Sequence, residues 1–532
     1  ELKVSTDMDS GEIIANADNP YLRMFLEPTY PLGNTGDQPL DPAEDIPGAV
    51  WGYGDNGAQV GRTSAIGYTF IKNLQETLDV PVGLINASIG GTVIEGWLPR
   101  KAVMNDPAVR QALIARGLYF DEEWWSTSAG TMSTLYNQKI GPLEGMNIAG
   151  TIWYQGESNS NRSEIYDIEL DLLKRSWGEA FGFPNGDMPF IFCQVAPYRY
   201  DNGNNNRQHL GYLAEYMQKG WAMSADKNTA MLTIYDLPLD HMKNGSSSDP
   251  IHPRIKTPVG ERFFQSAMNM VYGGEEEYTA PVYKEMEIKD NAIYVTFDRV
   301  GDGLGILDSL MDVHGFTIAG ADGVYVNAQA TIVDEDTVMV WNNRVAEPKN
   351  VMYAFDNFNQ GANLCNSSGI PASPFRTVQV NDTTMKPDAS IKYFTAQDWM
   401  YADKDVWVYD TQNTDNKNTG FRPAFAVSNG TYTYDKYLFA EGTAALRFEV
   451  PKTGSISPIF TYESVKQDYG KFKTLSVQVM NPSGVDATLS LSVASGNRAY
   501  IVPTVDGATE VTLDANGVCY STVTFDLTAL RN

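Results

Sequence analysis

A carboxylate and an imidazole lie three residues apart in the loop SSSDPIHPRIK, residues 246–256. Asp249 could accept a hydrogen bond from one ring nitrogen of His252 and fix its tautomer, which leaves the other nitrogen free to act as a general base. The alternative is an ordinary loop histidine beside an acid at a helix start, and the spacing alone favours it. The loop follows the last strand of a predicted α/β sheet, however, and this position favours the catalytic interpretation.

Two glycines follow a buried, strand-like run in the stretch ASIGGTVIEGW, residues 87–97. Gly90 and Gly91 would let backbone N–H groups approach an oxyanion closely, because no Cβ stands in the way. An ordinary tight turn explains the same two glycines equally well, so both interpretations stay open.

The stretch WYQGESN, residues 153–159, ends another apolar run with a cluster of polar side chains. Gln155 can donate through its amide, and Glu157 can orient a histidine or a substrate hydroxyl. Ser158 lacks the Gly-x-Ser-x-Gly setting of a nucleophile, and that motif occurs nowhere in the chain. We predict instead that Ser158 or a neighbour caps the helix that begins near residue 163.

These motifs fall in a region where apolar strand-like runs alternate with helical patterns. Strands are predicted at 80–90, 146–155, 189–197 and 230–237, and helices at 106–120, 163–181, 207–220 and 257–273. Such alternation predicts a parallel sheet with helices on both faces. The polar motifs then lie at the carboxyl ends of the strands, where the sites of α/β sheets are found.

The rest of the chain has the pattern of β structure. Short strands with period-two alternation predict an all-β domain after residue 276 and a sandwich or jelly roll after 388, so we expect domains at 1–275, 276–387 and 388–532. The glycines of GDGLG, residues 301–305, indicate a hairpin turn rather than a nucleotide loop. Aromatic residues of the last domain could stack on sugars, although core packing is the commoner use of such residues: Trp399, Tyr401, Trp407 and Tyr409.

Composition excludes several classes of function. The net charge of −27 over 532 residues repels phosphate backbones, so we expect no nucleic-acid partner. No apolar run is long enough to cross a bilayer. The cysteines Cys193, Cys365 and Cys519 are too far apart to indicate a zinc site or a disulfide framework.

Several long motifs together resemble the sialate O-acetylesterase family of SGNH-type carbohydrate esterases. The motifs are GLINASIGGTVIEGWLPR, LYNQKIGPLEGMNIAGTIWYQGESN and DPIHPRIKTPVGERF, followed by ANLCNSSGIPASPFRT, and the resemblance covers roughly residues 1–380. It implies an SGNH-hydrolase-like sheet and hydrolysis of acetyl esters on sialic acid or another glycan sugar, without metal or organic cofactor. The expected partner is therefore an O-acetylated glycan, and an extracellular or periplasmic location follows from that substrate class.

The resemblance also implies roles for the residues singled out above. His252, in the motif IHP, matches the family's general base, and Asp249 matches its partner, with Asp236 of YDLPLD as the alternative. Gly90 or Gly91 matches the glycine of the oxyanion turn. In the QGE block, Gln155 resembles an oxyanion or positioning donor, and Glu157 a possible auxiliary carboxylate.

One departure concerns the nucleophile. The family's serine lies in a GQSNM motif that is followed almost directly by a segment like the first residues of this chain, and Ser5 and Ser10 lack that motif. We expect the serine and its strand to precede Glu1, so that the chain as printed is inactive. The alternative is a chain without a nucleophile, a non-catalytic glycan-binding or surface protein that retains the pocket.

Overall fold

The computed structural model describes most of the chain up to residue 378 and shorter stretches beyond. The described residues are 2–28, 41–118, 132–198, 209–224, 228–237, 252–307, 313–342, 345–357, 362–378, 392–393, 423–428, 431–435, 445–449, 457–462, 473–479, 486–495, 498–513 and 521–528. Asp249 and the four aromatic residues proposed to stack on sugars lie outside this part, so the structure says nothing of their roles.

A three-stranded sheet opens the α/β region. Its strands are β1 (Leu22–Leu26), β2 (Val50–Tyr53) and β3 (Val82–Asn86), in the order β2-β1-β3. β2 pairs antiparallel with β1 and β3 pairs parallel with it. The alternate residues Leu22, Met24 and Leu26 of β1 are buried in one apolar cluster with Tyr68 and Ile71 of the helix α3 (Ala65–Leu78).

A second, all-parallel sheet follows. Its strands are β4 (Thr151–Tyr154), β5 (Phe190–Cys193) and β6 (Thr229–Leu232), in the order β4-β5-β6. Every residue of β5 and β6 is buried, as expected for strands covered on both faces.

The remaining helices of the region surround these sheets. They are α1 (Ser10–Ala15), α2 (Gly57–Val60), α4 (Arg100–Asn105), α5 (Pro107–Ala115), α6 (Tyr166–Ala180), α7 (His209–Ser224) and α8 (Thr257–Val271). α8 packs against α3, and α6 packs against α7. Within the described ranges, no helix is long and apolar enough to cross a membrane.

The strands of the expected α/β region divide into two sheets among the described residues. The predicted strands and helices are present, but β3 and β4 are each the outermost strand of a separate sheet and are not hydrogen-bonded to each other. Four of the five residues of β3 and three of the four residues of β4 are only partly buried. No described strand lies between β3 and β4, so one edge of each remains without a ladder partner.

The next region consists of β structure packed onto the α/β layer. Its strands are β7 (Val282–Lys289), β8 (Ala292–Asp298), β9 (Gly305–Ile306), β10 (Phe316–Ala319), β11 (Val324–Asn327), β12 (Gln329–Asp334), β13 (Thr337–Trp341), β14 (Asn350–Tyr353), β15 (Leu364–Cys365), β16 (Phe375–Arg376) and β17 (Lys392–Tyr393). They form the sheets β16-β14-β10-β11-β17, β12-β13-β8-β7 and β15-β9. Two buried hydrogen bonds attach this region to the residues that follow β5 and β6. Tyr235 Oη donates to Ala372 O (2.6 Å), and Gln194 Nε2 donates to Ser373 Oγ (2.9 Å).

The described stretches of the last region are antiparallel strand pairs. They are β18 (Pro423–Ser428) with β21 (Ser457–Tyr462), β19 (Thr431–Asp435) with β20 (Ala445–Glu449), β22 (Thr474–Val479) with β27 (Ser521–Asp526), β23 (Ala487–Leu489) with β26 (Val511–Leu513), and β24 (Leu491–Ser495) with β25 (Arg498–Val502). The jelly-roll-like sandwich stays a prediction.

Candidate active site

The side chain of Gln155, the first residue after β4, joins the two sheets at their carboxyl ends. Its Nε2 donates to the carbonyl oxygen of Thr92 (2.9 Å), in the turn after β3, and to Asn159 Oδ1 (2.9 Å). Its Oε1 accepts a hydrogen bond from the hydroxyl of Tyr166 (2.8 Å), which is fully buried. Both amide hydrogens are thus used within the protein, and this geometry favours the positioning role for Gln155 over the role of oxyanion donor.

The glycine turn after β3 is exposed and directly precedes Thr92, the residue that Gln155 contacts. Gly91 has a φ of +73°, in the region that favours glycine, and a Cβ built on it would have no heavy atom within 4 Å outside its chain neighbours. Conformation rather than crowding therefore selects glycine at this position. Gly90 is not among the described residues with positive φ, so Gly91 is the better match for the glycine of an oxyanion turn.

The turn after β4 is shaped by close packing at Gly156. This residue has a φ of +155°, and a Cβ built on it would lie 2.7 Å from Met217 Cε and 3.0 Å from Leu213 Cδ2 of α7. A side chain at position 156 would have to displace the ends of the Met217 and Leu213 side chains, and it would be strained at this φ. The partly exposed Glu157 follows directly, in a 3₁₀ turn over Glu157–Asn159.

The predicted capping role of Ser158 or a neighbour is wrong. Two 3₁₀ turns, Glu157–Asn159 and Ser163–Ile165, precede α6, and neither turn nor α6 has a side-chain capping hydrogen bond. α6 begins only at Tyr166. Ser163 Oγ instead donates to the carbonyl oxygen of Ser160 (3.3 Å). Polar residues before a helix indicate a cap, but the sequence does not show that the chain makes two 3₁₀ turns between Gly156 and α6.

Asn159 is the centre of a buried polar network that the sequence analysis missed. Its Oδ1 accepts a hydrogen bond from the backbone N–H of Ile94 (3.0 Å), and its Nδ2 donates to Glu95 Oε2 (2.9 Å). The other oxygen of Glu95 pairs with Arg162 Nε at 2.7 Å. A usable signal was present, since Glu95 stands in the apolar run VIEGW, and a carboxylate buried in such a run needs a partner.

The loop that carries His252 is attached both to the first residues of the chain and to β4. The backbone N–H of Lys256 donates to Asp7 Oδ2 (3.1 Å), and the N–H of Met8 donates to the carbonyl oxygen of Arg254 (3.1 Å). The ammonium of Lys256 lies 4.8 Å from the ring centroid of Tyr154, the last residue of β4. These contacts place the exposed His252 near the carboxyl end of β4, beside the start of the chain.

Asp7 is a further residue that the sequence analysis did not single out. Its carboxylate is 4 % exposed, and it also accepts a hydrogen bond from the N–H of Asp9 (2.9 Å). Burial raises the pKa of Asp7 above its ordinary value, while the hydrogen bonds from Asp9 and Lys256 act in the opposite direction. A buried carboxylate thus links the first residues of the chain to the loop of His252.

Asp236 lies in the same region, but its carboxylate is occupied. Arg262 of α8 holds both oxygens, with Arg262 Nη1 to Asp236 Oδ1 at 2.7 Å, and also donates to the carbonyl oxygen of Thr233 (2.7 Å). The charges of Arg262 and Asp236 both reach the thiol of Cys193 at the end of β5, whose pKa is raised mainly by burial. This pairing argues against Asp236 as the partner of His252.

The described residues therefore bring together Gly91, Gln155, Glu157 and the His252 loop at one edge. Within those ranges, no three His, Cys, Asp or Glu side chains come together as metal ligands. A glycine turn can stabilise an oxyanion and a histidine can transfer a proton, and these are two of the parts that ester hydrolysis by a serine nucleophile requires.

Comparison with solved structures identifies the class of protein with this fold and site. The crystal structure of a carbohydrate acetylesterase from Xanthomonas citri matches with a TM-score of 0.59 and 28 % identity, over 71 % of this chain and 78 % of that one. The expected SGNH-like α/β region with parallel strands is thereby confirmed, and the chain has in addition a β-rich C-terminal region.

Comparison with sequences shows similarity to one family. Residues 54–243 match the model of the carbohydrate esterases described as sialic acid-specific acetylesterases. Sialate O-acetylesterases from Rattus norvegicus (27 % identity over 274 residues, 44 % of this chain and 48 % of that protein) and Homo sapiens (28 % over 241 residues, 42 % of each) are similar. The resemblance to the sialate O-acetylesterase family is confirmed, although the chain spans only about half the length of the curated relatives it matches.

Proposed function

We propose that this protein is a carbohydrate O-acetylesterase that hydrolyses acetyl esters on sialic acid or another glycan sugar by a serine-hydrolase mechanism. The observation that carries the proposal is the contact of three distant sequence blocks at the carboxyl ends of β3 and β4. Gln155 bonds the turn of Gly91 and Thr92 through the Thr92 carbonyl, and Lys256 brings the His252 loop onto Tyr154. The similar proteins from rat, human and Xanthomonas citri are named as acetylesterases.

In the proposed reaction, a serine ahead of Glu1 forms a bond to the acetyl carbonyl carbon while His252 takes its proton. Asp249 holds the imidazole, and the N–H of Gly91 stabilises the oxyanion of the tetrahedral intermediate. The sugar oxygen leaves with the proton from His252. Water then attacks the acetyl-serine, again with His252 as base, and acetate departs.

Two features support a nucleophile supplied by a strand that precedes Glu1. Among the described residues, β3 and β4 each have one edge without a ladder partner, while the segments after them are hydrogen-bonded to each other. The described start of the chain is also fixed beside the site. Leu2 O accepts a hydrogen bond from the N–H of Ala65 (2.9 Å), and Val4 N–H donates to Thr63 O (2.9 Å).

The test is acetate release by the chain expressed with the coding residues ahead of Glu1. Substrates are O-acetylated sialic acid, an acetylated plant glycan and an aryl acetate, and the control replaces the serine of the expected GQSN motif by alanine. We expect the parent chain to release acetate and the alanine variant to release none. No release from any of the three substrates would overturn the proposal, and coding sequence without GQSN would favour a non-catalytic glycan-binding protein.

The proposed substrate class also suggests where the protein acts. Acetylated glycans occur mainly outside the cytoplasm, so we propose an extracellular or periplasmic location. Fractionation of the native host cells, followed by detection of the chain, would test it.

A further inference from the structure

We propose that Asn159 is a positioning residue that fixes the Gly91–Thr92 turn for catalysis, a role that rests on the proposed esterase function. Asn159 is fully buried, and its partners Ile94 and Glu95 are 65 and 64 residues away in sequence. Its side chain thus connects the segment after β4 to the segment after β3, and no ladder between described strands connects the two sheets.

The partners of Asn159 define the orientation of its amide. The N–H of Ile94 and the Nε2 of Gln155 only donate, so both face Oδ1, at 3.0 and 2.9 Å. The carboxylate of Glu95 accepts the Nδ2 hydrogen, and its negative charge is in turn fixed by Arg162. An amide is the side-chain group of this size that accepts on one side and donates on the other, so neither aspartate nor leucine can replace it.

The network sets the turn through two bonds at its two ends. Ile94 N–H is held by Asn159, and Thr92 O is held by Gln155, whose own amide is oriented by Asn159 and by Tyr166. Gly91 directly precedes Thr92. A shift of the Asn159 amide would therefore move the N–H of Gly91 relative to a substrate carbonyl, and displacements of about 1 Å at such groups can lower rates about 100-fold.

The polarity of the Asn159–Glu95 bond allows a reciprocal test. Asn159→Asp removes the donor and places a second carboxylate against Glu95. Glu95→Gln supplies an amide hydrogen that this new carboxylate could accept, while the Gln oxygen takes the place of the carboxylate oxygen that lies 2.7 Å from Arg162 Nε. The double variant N159D/E95Q therefore restores the bond with donor and acceptor exchanged. Ser158→Ala is the matched control, because the Ser158 side chain makes no hydrogen bond within the described part of the chain.

Two measurements are made on these variants in the chain that carries the residues ahead of Glu1. Hydrogen exchange reports the protection of the Ile94 amide, and steady-state kinetics on an aryl acetate separates kcat from KM. We expect N159D to lower Ile94 protection and kcat by roughly 10- to 100-fold, with KM changed less than about threefold, because an oxyanion contact acts in the transition state. The double variant N159D/E95Q should have a kcat at least about tenfold higher than that of N159D.

Other outcomes separate the inference from the proposed function. If N159D resembles S158A in both measurements, or if E95Q rescues neither kcat nor Ile94 protection, the inference is overturned. If the parent chain releases no acetate, the proposed function has failed. The exchange of Ile94 then still decides whether Asn159 fixes the turn, since unchanged protection in N159D rejects that claim.

Discussion

The guanidinium of Arg262 binds both carboxylate oxygens of Asp236, so this acid at the end of the second sheet is already paired. The pair is buried, with side-chain exposures of 13 % for Arg262 and 7 % for Asp236. Its neighbour Thr233 gives Arg262 a further acceptor. The pair therefore fixes α8, and with it the loop of His252, rather than supplying a free carboxylate to the imidazole.

This pairing leads to opposite expectations for the two candidate acids. Asp249→Asn should lower kcat about 10³- to 10⁴-fold with little change in stability, as expected for the acid that orients a catalytic histidine. Asp236→Asn should lower the free energy of unfolding by about 3–5 kcal/mol, because Arg262 loses its buried counter-charge. Urea unfolding and kinetics on the two variants check this. The reverse pattern would make Asp236 the partner of His252.

The base assignment predicts a large kinetic effect of one histidine. His252→Ala should lower kcat on the order of 10³-fold or more, because no other group takes the proton of the serine. His314→Ala, in the β region after residue 276, is the matched control and should keep near-normal turnover. Steady-state kinetics on an aryl acetate measures both. Near-normal turnover of H252A would refute the assignment.

The contact of Asp7 with Lys256 predicts an effect on the loop of His252. Asp7→Ala leaves the N–H groups of Lys256 and Asp9 without their side-chain acceptor, which costs about 1–3 kcal/mol when such groups are buried. Hydrogen exchange of the Lys256 amide should become faster. The exposed Asp9 provides the control variant Asp9→Ala. Equal exchange in both variants would show that Asp7 does not hold this loop.

Glu169 of α6 predicts a pH dependence of stability. It is fully buried, neither carboxyl oxygen has a hydrogen-bond partner among the described residues, and burial raises its pKa well above the ordinary value. A carboxyl whose pKa is raised by folding stabilises the fold fully below its unfolded value of 4.5 and loses that contribution as pH rises towards its folded pKa.

Glu169→Gln should remove this dependence. We expect no gain in the free energy of unfolding near pH 4 and a gain of about 1 kcal/mol or more at pH 8, where the native glutamic acid must stay protonated or ionise without a partner. The exposed Glu179 of the same helix gives the control variant Glu179→Gln. Urea unfolding at the two pH values measures the difference. Parallel changes in both variants would contradict the explanation.

The strands and helices that the sequence predicted are those with strong periodicity or long apolar runs. β5 and β6 could be predicted because strands buried on both faces consist of apolar runs, and all residues of these two strands are buried. α3 was not predicted, since its residues Tyr68, Thr69, Phe70 and Ile71 are weak helix formers. Its start is fixed by the Ser64 side chain, which accepts from the N–H of Gly67 (2.9 Å), and its packing against α8 outweighs propensity.

The site could be predicted only where a short motif carries it. The glycine turn, the QGE block and the loop of His252 are local in sequence, and contacts near the carboxyl ends of β3 and β4 join their described parts. The contacts that join them could not be predicted, because Asn159–Glu95 and Asp7–Lys256 span 64 and 249 residues. Their energies depend on burial in three dimensions, which a local pattern does not report.

The unpaired edges of β3 and β4 have a practical consequence for handling the protein. Each presents a row of N–H and C=O groups beside apolar side chains such as Ile85 and Ile152, and such edges pair readily with strands of other molecules. Self-association through these edges is therefore expected at high protein concentration, and size-exclusion chromatography over a series of concentrations would measure it.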